Sequence, residues 1–353
     1  MRRRDSERYS SEQIEMTEQV LGQKHIYTHF KNAIAAGKLS HAYIIHGERG
    51  MGKLEIAREV AKAIQCEKNS PDVAAKTGEA CNECKSCKQS ESNNQPDIKY
   101  ITPMKKTLGV DDIREQINDD ASIKPYANPY KIYIIPASDT MTIQAQNALL
   151  KTIEEPPKYA IFILLAANVD KFLPTIMSRC VLLSARTVSD DEIAKDLKEK
   201  FGVGDYDARV AASFAGGNIG KAKKLIESDT FKETKDSITD LVRDVANGGM
   251  DEISKIIKDL SAYKNDKEGL EEYLNMLRVW FTDVLKYKTT KDENNIVFQE
   301  SLNEIKQTAE QISYESIDGI LDEINNCEGR TKSNVGFESN LEVMLLGIKE
   351  RIQ

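Results

Sequence analysis

The sequence predicts an α/β fold, a mostly parallel sheet flanked by helices, that gives way to an all-helical C-terminal part. Three observations carry this. Short β-rich runs alternate with helical patterns from about Thr17 to Ser184, as strands joined by helical crossovers do. One of those runs leads straight into a glycine-rich loop and then a helix. After Thr187 the strand signals stop, and the apolar spacing is helical to the end. With 353 residues, 40% hydrophobic and 30% charged, the chain is long enough for two or three compact domains.

Taken in order, residues 1–16 lack a sustained apolar period and are expected to be a disordered tail. Strands are expected from Ala42 to Ile45, Ile98 to Ile101, Lys131 to Ile135, Ile161 to Ala166 and Val181 to Leu183. Together with the helices between them they make a core domain over residues 17–187. Asp190-Asp191-Glu192 opens a helix, because acidic side chains suit the positive end of the helix dipole. From Ala211 to Ile226 the pattern, interrupted by Gly216-Gly217, reads as two short helices of a small lid, residues 188–230. Residues 231–353 form an all-helical domain, with Leu270, Tyr273, Leu274, Leu277, Trp280, Phe281 and Leu285 spaced as one buried stripe.

A net charge of −8 repels a phosphate backbone, so any DNA contact has to be local or shared with other chains. No run approaches the roughly 18 apolar residues that cross a bilayer, and the basic start is not followed by an apolar signal core. A cytoplasmic protein is expected, in which the six cysteines serve as thiols or metal ligands rather than disulfides.

The strand through Ile44 and Ile45 runs into Gly47-Glu48-Arg49-Gly50-Met51-Gly52-Lys53-Leu54 and a helix from Glu55 to Ile64. That is the order of a P-loop, in which backbone N–H groups cradle phosphates and the lysine, here Lys53, reaches the terminal ones. Gly47, Gly50, Gly52 and Lys53 are therefore candidate phosphate-binding residues for ATP or ADP. The position that carries a Mg²⁺-ligating hydroxyl is Leu54, which offers a hard cation nothing. The strand from Lys131 to Ile135 ends in Pro136-Ala137-Ser138-Asp139, with Asp139 as its only carboxylate, three positions beyond the expected metal-holding site. Residual nucleotide binding and a glycine-rich turn that no longer binds are both open on this pattern, but unaided hydrolysis is not expected.

Cys66, Cys81, Cys84 and Cys87 follow C-x14-C-x2-C-x2-C, inserted between the P-loop helix and the strand at Ile98. Four thiolates with no open position suit a structural Zn²⁺; an iron–sulfur cluster, a redox pair or free thiols are the alternatives. Cys180 and Cys327 stand alone and are expected to be packing residues.

Several of these stretches resemble one family. Val20-Leu21-Gly22-Gln23, Leu39-Ser40-His41-Ala42-Tyr43 before the P-loop, the four cysteines, the run from Gln144 to Pro157 (QAQNALLKTIEEPP) and Ser178-Arg179-Cys180 are similar to bacterial clamp-loader subunits of the AAA+ family. The likeness covers about Thr17 to Ile226. Beyond it the match is by helical type and by Asn340 to Ile348, which looks like the last helix of the family's collar domain. The resemblance implies a heteropentamer that opens the ring-shaped sliding clamp and places it on primed DNA, with gamma/tau subunits as the ATPases and delta and delta-prime subunits without hydrolytic function. Four departures side with the delta-prime type: Leu54, Pro136-Ala137, the short chain, and Gly220 where an ATP-sensing arginine is expected in gamma/tau. Asn168, after Leu165-Ala166-Ala167, looks like the polar sensor, and Lys221 stands beside the missing arginine.

By the same resemblance Arg179 is an arginine finger, presented to a neighbouring subunit's ATP rather than to its own loop. Spacing alone reads it as an ordinary salt-bridge arginine. The helix from Gln144 to Thr152 turns Ala145, Ala148, Leu149 and Ile153 inward and reads as sheet packing, with Lys151 solvated. Three classes of function compete: an assembly protein that donates an arginine, a gamma/tau-type ATPase with degenerate motifs, and a zinc-dependent DNA-binding module. The last is disfavoured by the net charge and by the lack of a basic, aromatic-interleaved segment. Membrane partners are not expected.

Overall fold

The computed structural model describes residues 20–104, 107–227, 230–332 and 335–352. The expected tail, residues 1–16, lies outside them. The chain divides into two compact units, the first running to Val188 together with Asn218–Gly220, the second comprising Ser189–Gly217 and Lys221–Gln353.

The first unit holds strands β1 (Ala42–His46), β2 (Ile98–Tyr100), β3 (Lys131–Ile135), β4 (Ala160–Ala166) and β5 (Val181–Ser184). All five are parallel, in the order β2-β3-β4-β1-β5. Each expected strand is present within a residue of its expected ends. The helices are α1 (Lys24–Ala35), α2 (Lys53–Ile64), α3 (Lys85–Glu91), the short α4 (Val110–Ile113) and α5 (Asp119–Ala121) joined by a wider π turn, α6 (Ile143–Glu154) and α7 (Pro174–Met177).

Residues of β1, β3 and β4 are buried on both faces, as β-rich strands beneath helical crossovers must be. Alternation divides them between two cores. Ile44, Tyr133, Ile135, Phe162 and Leu164 meet Ala145, Leu149 and Ile153 of α6 on one face. Tyr43, Ile45, Ile132, Ile134, Ile161 and Ile163 meet Ile26, Phe30 and Ile34 of α1 and Ile56, Val60 and Ile64 of α2 on the other. β5 is half buried, and its Leu182 is exposed. The register pairs Tyr43 with Val181 and His46 with Ser184, so the β1 and β5 ends are level.

The second unit is helical: α8 (Asp190–Phe201), α9 (Asp205–Ala215), α10 (Ile219–Glu227), whose first two residues belong to the first unit, then α11 (Thr230–Asn247), α12 (Met250–Leu260), α13 (Lys267–Thr290), α14 (Leu302–Gln311), α15 (Tyr314–Lys332) and α16 (Phe337–Ile352). Ser189 and Glu192 cap α8 reciprocally, and Gly202 ends it in the left-handed region. Leu270, Tyr273, Leu274, Leu277, Trp280 and Phe281 of α13 are all buried. On α16, Leu341, Met344, Leu345 and Ile348 face inward, while the buried Asn340 amide donates to Cys327 O at 2.8 Å. Among the described residues no helix is long and apolar enough to cross a membrane.

One buried acid in this unit makes stability depend on pH. Asp283 is fully enclosed on α13, and its Oδ2 accepts from the N–H groups of Val297 (2.7 Å) and Phe298 (2.8 Å). Burial nonetheless pushes its carboxyl up from 3.8 to about 6. The folded state therefore binds this proton more tightly than the unfolded chain does, and its contribution is lost as pH rises from about 4 through 6. Asp283→Asn keeps an acceptor oxygen and removes the ionisation. Urea unfolding from pH 4 to 7 should show the variant gaining on the wild type by about 3 kcal/mol. A constant difference between the two would mean that Asp283 is ionised at no cost.

Candidate functional site

The loops that follow β1, β3 and β4 leave the sheet at its carboxyl edge, where an open α/β sheet collects its ligand groups. The first is the glycine loop. Gly50 and Gly52 have φ of 90° and 70°, a region closed to most side chains. A Cβ on Gly52 would lie 2.6 Å from Val20 Cγ1, and one on Gly50 would lie 2.7 Å from Asn218 Oδ1. Lys53 begins α2, and its Nζ donates to Gly47 O (2.5 Å) and Glu48 O (2.6 Å). Asn218 Nδ2 donates to Arg49 O (2.7 Å) and Gly220 N to Gly50 O (3.0 Å). Four successive carbonyls, from Gly47 to Gly50, thus take donors from the chain itself. The positive end of the α2 dipole points into the loop, and the Lys53 ammonium adds its positive charge there. Burial holds Lys53 below the ordinary lysine value, and the Asp139 carboxylate acts in the opposite direction.

The metal-holding half is different. Leu54 packs against the core formed with α1 and α2. After β3, Ala137 takes φ of 47°, an unusual conformation for alanine, and turns the chain so that Ser138 Oγ, fully buried, donates to Leu165 O at 2.8 Å. Asp139 then accepts from Asn168 N (3.4 Å) and pairs with Lys171 (3.8 Å). Asn168 follows β4, and its side chain accepts from Asp170 N at 2.8 Å. The edge therefore brings Asp139 and Asn168 together, and one carboxylate reaches this corner by way of a strained turn.

The four cysteines converge. Their Sγ atoms lie within 4.8 Å of one another, against the edge of about 3.8 Å in a tetrahedral zinc–thiolate site. Cys66 follows α2, Cys84 caps α3, and Asn82, at φ 58°, makes the tight turn between Cys81 and Cys84. Backbone N–H groups of Cys81, Cys84 and Cys87 each donate to the preceding cysteine's sulfur at 3.4 Å. Asn69 braces the insertion, donating to Ala63 O and Glu79 O and accepting from Gly78 N. Burial raises the thiols of Cys66 and Cys87; it opposes ionisation of Cys81 too, but the N–H groups of Glu83 and Cys84 bring that one down to about 6. The donor set can hold a metal ion, and its chemistry fits zinc.

Arg179 is elsewhere. It stands two residues before β5, at the amino edge of the sheet, whereas the glycine loop leaves the carboxyl edge. The β1–β5 register sets it level with about His41, six residues before Gly47, or about 20 Å along a strand. Its guanidinium is about two-fifths exposed and pairs with Glu154 at 3.0 Å. Cys180 beside it packs into the core, and burial pushes its thiol up to about 12. Lys151 is exposed on α6. The sequence patterns do not single out Asn218 or Gln146 as holding groups: both are buried amides that bond backbone atoms remote in sequence, Arg49 O for Asn218 and Lys171 O for Gln146.

Residues 22–189 match the family described as "DNA polymerase III, delta subunit", and residues 252–348 match "DNA polymerase III, delta subunit, C terminal". The tau subunit of DNA polymerase III from Bacillus subtilis (strain 168) is 31% identical over 341 residues, which are 89% of this chain; the chain spans 58% of that relative's length. The delta' subunit from the same organism is 28% identical over 319 residues, 90% of this chain and 94% of the relative. Among solved structures, a DNA polymerase III gamma subunit-related protein from Thermotoga maritima overlaps 93% of this chain and 99% of its own at 20% identity, with a TM-score of 0.45.

The contact between Gly220 and the glycine loop leaves no room for a side chain: a Cβ there would lie 2.4 Å from Gly50 O and 2.8 Å from Gly50 Cα. Gly220→Ala should cost the chain about 1–3 kcal/mol in chemical denaturation, although alanine is the better helix former. Unchanged or increased stability would show that the two backbones are not this close.

Proposed function

The chain belongs to the clamp-loader subunit family of DNA polymerase III, and within it we propose a delta-prime-type subunit that donates Arg179 to the ATP site of a neighbouring subunit. The carrying observation is the separation of Arg179 from the glycine loop by the length of the sheet, about 20 Å. An arginine so placed is of no use to its own loop. The loop in turn keeps Lys53 and its glycines but has Leu54 and Ala137 in the positions that organise Mg²⁺ and water, which supports a subunit that does not hydrolyse ATP alone. ATP or ADP bound at Gly47, Gly50, Gly52 and Lys53, with Asn168 as the sensor-like residue, fits the positive charge at the loop.

On this reading the chain is a cytoplasmic member of a heteropentamer with gamma/tau and delta subunits, and it supports ATP-dependent loading of the sliding clamp on primed DNA. Residues 17–187 are the P-loop core, 188–230 the lid and 231–353 the collar that holds the assembly together. Cys66, Cys81, Cys84 and Cys87 hold a structural zinc. The 31% identity to a tau subunit supports a second reading, a gamma/tau-type ATPase with degenerate motifs. Turnover of ATP by the pure chain, abolished in Lys53→Ala, would favour that one.

Two outcomes test the proposal. The purified chain should carry about one zinc, lost with serine at Cys84, since four thiolates saturate one tetrahedral ion. Metal-free protein with four freely reactive thiols would remove the zinc site. In a complex reconstituted with gamma/tau and delta subunits, with only the adjacent ATP site competent, Arg179→Ala should slow single-turnover hydrolysis about 10³-fold. Arg179→Lys should rescue poorly, because an ammonium lacks the planar fork. A wild-type rate in Arg179→Ala would reduce this arginine to a structural role.

A further inference from the structure

The run from Gln144 to Glu155 packs α6 against the sheet, but two of its polar residues have no part in that packing. Gln146 is buried. Its Oε1 accepts from Leu173 N at 2.8 Å, and its Nε2 donates to Lys171 O at 3.0 Å. It therefore fixes the start of the segment that leads into α7, where Pro174 occupies the first helical turn. Glu154, eight residues further along α6, is the acceptor for Arg179. Eight residues of helix span about 12 Å, so α6 runs beside the crossover from its beginning near the carboxyl edge to its end at Arg179.

Between these two points the crossover is pinned by Ile176, which is fully buried, and just past Arg179 by Cys180, which packs into the same core. The guanidinium then caps the short helix. Arg179 Nη1 donates to Thr175 O (3.0 Å) and Ser178 Oγ (3.2 Å), while Nη2 faces Glu154 Oε1. Ser178 Oγ itself donates to Thr175 O at 3.0 Å. Pro156-Pro157 stops α6 just beyond Glu154, which sets where that carboxylate stands.

We infer that α6 is the seat of Arg179, with Glu154 as its positioning residue: the carboxylate holds the guanidinium at the amino edge of the sheet, ready for a phosphoryl group presented by a neighbouring subunit. This rests on the proposed role of Arg179. A long side chain free in solvent samples many rotamers, and ordering it at the moment of reaction would be charged to the barrier. Three acceptors on its own chain order it beforehand. The ion pair is half exposed and so weak enough to yield to phosphoryl oxygens, which accept from the same nitrogens.

The test uses the same reconstituted complex, with Glu154→Ala, Arg179→Ala and the double variant. Glu154→Ala should slow the chemical step at the adjacent site about threefold, the order of bias that one exposed ion pair exerts, and leave the KM for ATP unchanged. In the Arg179→Ala background it should have no further effect. Should Arg179→Ala itself leave the rate intact, the arginine-donor reading fails and takes this inference with it. Should Arg179→Ala slow the reaction while Glu154→Ala matches wild type, the donor reading stands and Glu154 is an incidental surface partner. A Glu154→Ala loss that persists without the arginine, or that appears in KM alone, would assign Glu154 to the subunit contact and overturn the positioning role.

Discussion

Burial of a parallel sheet on both faces is the constraint from which the rest of the first unit follows. A strand such as β4, buried along its whole length, can carry no chemistry except at its ends. Polar groups therefore gather where the chain leaves the sheet. Lys53, Asp139 and Asn168 lie on connections leaving the carboxyl edge, and Arg179 and Glu154 lie at the amino edge. The cysteines escape the rule because they sit in an insertion after α2, braced by Asn69 and by their own N–H···S contacts.

On the proposed reading, the carboxyl edge keeps the half of a phosphate site that binds anions and lacks most of the half that binds cations. In a complete site the lysine, the loop and a metal ion share the phosphate charge. Here Lys53 shares its field with Asp139, and Asp139 in turn is held by Asn168 N and Lys171. The loop carbonyls are held by Lys53, Asn218 and Gly220, so the loop's shape is set by contacts within the chain. Gly220 acquires a physical reason in this setting: an arginine there would place its Cβ inside the van der Waals surface of Gly50.

The strands and their order of appearance were legible because β-branched runs bounded by turn residues have few other uses, and because the P-loop fixes one strand and one helix at once. The buried stripe of α13 and the acidic start of α8 were legible for the same reason, a strong period or a strong cap. The convergence of the cysteines followed from their spacing. What spacing could not express was contact between residues far apart in the chain. The Gly220–Gly50 approach, the Asn218 amide on Arg49 O, the return of Asp139 to the corner through Ala137, and the Arg179–Glu154 pair all depend on the fold being formed. Reading α6 as sheet packing was right for Ala145, Leu149 and Ile153 but said nothing of Gln146, whose polarity among apolar neighbours is the one trace such a contact leaves in sequence.

Placing the arginine and the phosphate loop at opposite edges also constrains how copies of this architecture can cooperate. Every parallel crossover must carry the chain back to the amino edge, so a residue just before a strand and a residue just after one face away from each other by the strand's length. If Arg179 serves a phosphate loop of the same architecture, the amino edge of one subunit has to approach the carboxyl edge of the next. A contact of that kind is head-to-tail: it joins unlike surfaces and leaves one edge of each kind unused unless a ring closes. In such an arrangement a subunit that only donates needs an intact amino edge and can let its own carboxyl edge decay. On the proposed reading, Ser178-Arg179-Cys180 and Glu154 at the amino edge, set against Leu54 and Ala137 at the carboxyl edge, match this asymmetry.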